Sequence, residues 1–145
     1  MPAGLWYPAW MRTEDALALA GRLLLAVIFL ASAFGKITNF EATVKFMELH
    51  GVPMASFWCA GAVALEALGA CALILGYLTR WGAAALVGFL VAATWIFHTA
   101  ADQRIALLKN LAIMGGLLQV MAFGSFFGLV PGVLLGIGLI AVFNR

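Results

Sequence analysis

The chain has 145 residues, of which 66% are hydrophobic and 10% charged, and its mean hydropathy is +1.10. Soluble domains are roughly half apolar and a quarter charged, so the bilayer is the main solvent of this chain. A net charge of +2 from eight scattered basic and six acidic residues excludes nucleic acid as a partner, and the length leaves no room for a separate catalytic domain.

In hydrocarbon every backbone N–H and C=O must be satisfied internally, and no segment shows the period-two alternation of a membrane β-barrel. The expected fold is therefore all-α: a polytopic transmembrane helix bundle forming one membrane domain over residues 1–145. Residues 1–15 carry Trp6, Tyr7 and Trp10 and read as a leader lying at the bilayer interface. The first span is expected at 16–37. Its Leu30, Ala31, Ser32 and Ala33 imitate a signal-peptide cleavage site, but the preceding region is poorly basic, so the segment reads as a retained helix.

Residues 38–53 form a short amphipathic helix in this reading. Thr38 and Glu41 have capping-box spacing, and Phe40, Val44 and Met47 fall on the face opposite Glu41, Lys45 and Glu48, as in a helix lying on a membrane. Gly51 and Pro53 close it, and residues 54–78 are an apolar stretch long enough to span with some tilt. Thr79 and Arg80 make a tight turn into a third span at 81–100, and the polar break Asp102, Gln103, Arg104 precedes a fourth at 105–123. Gly124 and Ser125 interrupt that helix. The apolar stretch 126–143 contains Pro131 and later glycines, so it is either a fifth span or a bent interfacial segment. Arg12, Arg22 and Arg80 fall on one side and Lys36, Lys45, Arg104 and Lys109 on the other, a balance from which the charge rule gives no orientation.

The two cysteines, Cys59 and Cys71, lie in one span and are separated by about 18 Å of helix, too far for a disulfide. They read as small apolar side chains.

An ionisable group at the bilayer centre costs about 2.5 to 3.5 kcal/mol or more, so Glu66, in the middle of the second span, demands a partner or a proton. Polar groups on the side where that span starts are Lys36 at the end of the first, His98 at the end of the third, and Lys109 with Asn110 at the start of the fourth. Ala62, Gly69 and Ala70 flank Glu66 at one-turn spacing and allow close helix approach. Two further rows are expected to pack: Lys109, Ala112, Gly116 and Gln119 on the fourth span, and Ala84, Gly88 and Ala92 on the third. The candidate polar cluster is therefore Glu66, Lys36, His98, Lys109, Asn110 and Gln119, with Lys109 or Lys36 as the cation for Glu66. The competing reading is structural: Lys36, His98 and Lys109 snorkel to headgroups, and Glu66 fixes helix register. No phosphate loop, nucleophile elbow, haem motif or metal-ligand spacing is present, so no metal and no intrinsic cofactor are expected.

Taken in order, these features resemble the DoxX family of small bacterial membrane proteins. The resemblance is carried by Arg22; Phe34, Gly35 and Lys36; Phe40; Gly51, Val52 and Pro53; Glu66; the run Leu75 to Arg80; and the run Lys109 to Gly116, over about residues 18–123. It implies a typically four-helix, multi-pass protein of the bacterial cytoplasmic (inner) membrane. The family takes its name from a membrane subunit of a thiosulfate:quinone oxidoreductase, which implies an accessory, not independently catalytic, subunit of a larger redox or energy-converting complex. Its partners are then membrane lipids and other membrane subunits, with a quinone or lipid near Glu66. A small proton-coupled carrier and a purely structural bundle are the alternatives.

Overall fold

The computed structural model describes residues 13–97 and 103–124. Most of the expected leader, His98 and the stretch at 126–143 lie outside the described residues. Among the described residues five helices follow in order: α1 Thr13–Thr38, α2 Phe40–Leu49, α3 Ala55–Leu75, α4 Thr79–Phe97 and α5 Arg104–Phe123. Among the described residues there is no strand, and α1, α3, α4 and α5 are each long and apolar enough to cross a membrane.

The four long helices form a ring, α1 on α3, α3 on α4, α4 on α5, and α5 back on α1. Each turns a stripe inward with the three-and-four spacing that keeps side chains on one helical face. On α1 it is Arg22, Ala26, Phe29 and Ala33; on α4 Thr79, Ala83, Leu86 and Leu90; on α5 Asn110, Ile113 and Leu117. On α3 the buried set runs from Ala55 and Cys59 through Glu66, Gly69 and Ala70 to Leu73. Phe29, Leu73, Leu86, Leu90, Ile113 and Leu117 fill the centre. Large apolar side chains elsewhere, Leu24, Phe34, Leu68, Trp95 and Leu108 among them, point outward, as lipid contact requires.

Two of the expected small-residue rows are off by a fraction of a turn. On α4, Ala92 and Gly88 are exposed and a Cβ on Gly88 would meet nothing, so the seam runs one residue earlier, through Ala83. On α5, Lys109, Ala112 and Gln119 are exposed while Asn110, Ile113 and Leu117 are buried; of the expected row only Gly116 packs, against Leu25 of α1. The small residues that bring helices together are Gly69 and Gly82, at the α3–α4 contact. Close approach of small residues is what holds membrane helices, because lipid tails compete equally well for apolar surface.

The connections also differ from expectation in two places. Thr38 ends α1 and donates its hydroxyl back to the carbonyls of Phe34 (3.0 Å) and Gly35 (3.1 Å), so no capping box with Glu41 forms. The cap position of α2 belongs to Asn39, whose amide also bonds back to Gly35 O at 3.2 Å and gives α2 no side-chain cap. The second difference is at the α3–α4 turn, where α3 stops at Leu75 because Gly76 takes the left-handed conformation, φ +68°, that closes a helix. Thr79 is consequently the first residue of α4, not part of a turn. Gly51, at φ +76°, closes α2 in the same way, with Val52 N–H donating to Met47 O.

α2 buries no residue completely; Phe40, Thr43, Val44 and Met47 are half-buried, while Glu41, Lys45 and Glu48 are exposed. At the other end of the bundle, Arg80 donates to the carbonyls of Gly124 (2.7 Å) and Ala122 (3.3 Å), a cation placed on the carbonyls and negative dipole end of α5. Arg80→Ala is expected to free those carbonyls, so that hydrogen exchange over residues 120–124 speeds up while α3 is unchanged; unaltered exchange there would show that the contact does not hold the helix end.

Candidate functional site

Side chains on a helix lean toward its N-terminus. Lys36, near the C-terminal end of α1, therefore reaches back into the bundle, and Glu66 on antiparallel α3 leans out toward the same membrane face. The two meet: Lys36 Nζ lies 3.0 Å from both carboxylate oxygens of Glu66. Ser32, one turn before Lys36, lies between them. Its hydroxyl donates to Glu66 Oε1 at 2.9 Å and accepts from Lys36 Nζ at 2.6 Å. The ammonium also stands 5.7 Å from the centre of the Phe89 ring of α4, within the range of a cation–π contact.

Glu66 is 1% exposed and the Lys36 side chain 22%. The carboxylate is thus withdrawn from solvent and the cation stands at the threshold of an open cleft. That cleft measures about 380 Å³ and runs between α1, α3, α4 and α5, with Thr43, Phe46 and Met47 of α2 forming one wall. Asn110 opens onto it as well; its amide donates to Thr94 Oγ1 at 2.9 Å, tying α5 to α4. The remaining walls are largely apolar, including Ile28, Phe29, Leu90 and Ile113. At the rim, His50 and Phe46 of the α2 region meet Phe97 of α4, with ring centres 4.2 to 5.4 Å apart. His50 Nδ1 lies 2.8 Å from Phe46 O and must carry the hydrogen to bond there.

Of the residues expected to cluster, Glu66 and Lys36 are in direct contact, and Asn110 and Lys109 line the same cleft. The cation on Glu66 is Lys36, not Lys109, which is exposed at the start of α5. Gln119 is also exposed, nine residues further along α5 than Asn110, toward the opposite end of the bundle. Sequence reasoning misses Ser32 and Thr94. Ser32 has a signal, since it precedes Lys36 by one turn on the same face, but its neighbours Ala31 and Ala33 give it the look of a processing site. Cys59 is buried and Cys71 exposed, both as free thiols. Among the described residues no group of three or more His, Cys, Asp or Glu is placed to hold a metal ion.

A sequence model of the DoxX family matches residues 17–99, which takes in the whole of the Lys36–Glu66 pair. The chain belongs to the DoxX family. Its relatives include inner membrane protein YqjF of Escherichia coli (strain K12), 33% identical over 116 residues that cover 78% of this chain and 88% of the relative. Inner membrane protein YphA of the same strain is 28% identical over 119 residues, covering 77% and 85%. No solved structure matches. With four helices fit to span and relatives of this description, this DoxX-family chain is a multi-pass inner membrane protein.

Proposed function

We propose that this chain is an accessory membrane subunit that holds the head of a quinone in the Lys36–Glu66 cleft for a larger redox complex. The observation that carries the reading is the cleft itself. Its volume is in the range of small-molecule pockets, and it joins apolar walls to a few convergent polar groups at one end. A quinone needs hydrogen-bond donors for its carbonyl oxygens, an aromatic or aliphatic slot for its ring, and lipid access for its tail. Asn110 Nδ2 keeps a second N–H beside the one given to Thr94, and Lys36 Nζ supplies another donor by turning one N–H away from Ser32 or Glu66; Phe89 and Phe97 are the rings, and a site between spanning helices admits a tail from the bilayer. A bound quinone would supply a redox couple that takes up two electrons and two protons. This chain's own part is to position the head and to keep a charged pair beside it, while electron transfer falls to partner subunits.

The test uses the full chain in nanodiscs. Addition of a short-chain quinone is expected to raise the unfolding temperature of the wild type and to leave the double variant Lys36→Met with Glu66→Leu unmoved. Equal shifts in both proteins, or in neither, would defeat the quinone reading. The accessory role is read separately, from the particle extracted by mild detergent: a stable larger complex is expected, whereas a lone homo-oligomer would favour a carrier.

A further inference from the structure

The other end of the bundle holds a second polar group that the cleft does not explain. Arg22 lies on the inward stripe of α1, is 8% exposed, and its Nε has no hydrogen-bond partner among the described residues. Thr79, the first residue of α4, is 0% exposed and its hydroxyl is likewise unpartnered among them. Unpartnered buried polar groups are rare, and a charged one is costly, so each calls for an explanation.

Helix register brings the two to one level. Ser32 bonds Glu66, so on antiparallel α1 and α3 Arg22, ten residues before Ser32, stands level with Gly76, ten residues after Glu66. A Cβ on Gly69 would touch Leu86, and the same count of seven residues from each places Gly76 level with Thr79. Arg22 and Thr79 thus face the bundle interior at the level of the short α3–α4 connection, the end where the spanning helices meet the headgroup region. The first amides of α4 have no intrahelical acceptor and present the positive end of its dipole here. The neighbouring cation, Arg80, is engaged elsewhere, on the backbone oxygens of Ala122 and Gly124 at the end of α5.

From these observations we infer that Arg22 and Thr79 form a binding site for a phosphate oxyanion at the end of the bundle opposite the Lys36–Glu66 cleft. A guanidinium offers a planar fork of N–H donors that matches two phosphate oxygens, and the threonine hydroxyl and the α4 amides add donors of the kind phosphate groups take at helix starts. A phospholipid headgroup and free inorganic phosphate share this chemistry.

Native mass spectrometry of the purified full chain separates the sources, with phosphatidylglycerol and inorganic phosphate as the two probes. Loss of a hydrogen-bonded charge is expected to weaken phosphatidylglycerol binding by about tenfold or more in Arg22→Met, with Arg22→Lys and Thr79→Val between it and the wild type. Retention of the lipid in millimolar inorganic phosphate assigns the site to a headgroup; its displacement, with Arg22-dependent phosphate binding, assigns it to the free anion. Binding of both probes equally well by wild type and Arg22→Met overturns the site. Should Arg22→Met fail to fold, unchanged binding in both Arg22→Lys and Thr79→Val overturns it instead.

Discussion

Glu66→Ala is expected to destabilise the bundle by about 3 to 5 kcal/mol, because it strands the Lys36 ammonium against Ser32 and the Phe89 ring without its counter-charge. Lys36→Met should cost a comparable amount, since Glu66 is the more deeply buried partner and keeps only the Ser32 hydroxyl. Replacing both, as Glu66→Leu with Lys36→Met, should return stability close to wild type, because no charge is then left unpaired. The coupling is read from a double-mutant cycle on unfolding in detergent. Lys109→Met is the control: Lys109 is exposed, and the change should stay within about 0.5 kcal/mol. Glu66→Gln keeps an acceptor for Ser32 but not the charge; if it unfolds like the wild type, the ion pair does not hold α1 to α3. The double variant also separates roles, since a structural pair leaves quinone response intact when both charges go, and a binding pair does not.

Glu66 and Lys36 are legible in the sequence because a charge within a hydrocarbon span has few ways to be satisfied, and helix order alone puts the end of α1 beside the start of α3. The spanning helices are legible on related grounds, as long apolar runs bounded by polar breaks. What the sequence does not specify is rotation about each helix axis. In a soluble helix the polar face marks the outside, but here lipid and interior are equally apolar, so successive candidates such as Lys109 and Asn110, or Ala83 and Ala84, carry almost no contrast. That is why the expected rows on α4 and α5 miss by one residue and why Lys109 competes with Lys36, on sequence alone, as the partner of Glu66. The capping box fails on a different ground: the Thr38 hydroxyl can serve either of the helices it joins, and it bonds the carbonyls one turn behind it in α1.

The rotation that the sequence leaves open is testable at the glycines. A Cβ on Gly69 would lie 2.6 Å from Leu86 Cγ and within 2.9 Å of both its methyls, and Leu86 is itself fully buried. The clash includes the branch point of the leucine as well as its tips, so rotation about χ2 does not relieve it: either the fully buried Leu86 changes χ1 within the packed core or α3 and α4 separate. Overpacking of this kind costs about 1 to 3 kcal/mol, and Gly69→Ala is expected at the upper end. Leu86→Ala alone should cost about 2 to 5 kcal/mol, as it opens a cavity in the centre of the bundle. Together the two changes should cost clearly less than their sum, because the new methyl enters the space the leucine vacates. Gly61→Ala and Gly88→Ala provide the contrast on the same two helices. Nothing lies within 4 Å of a Cβ at either position, so alanine there should be neutral or stabilising by up to about 1 kcal/mol through helix propensity. Unfolding of the four single variants and the double in one detergent decides the matter: if Gly69→Ala and Gly88→Ala behave alike, the α3–α4 seam does not run through Gly69 and Leu86.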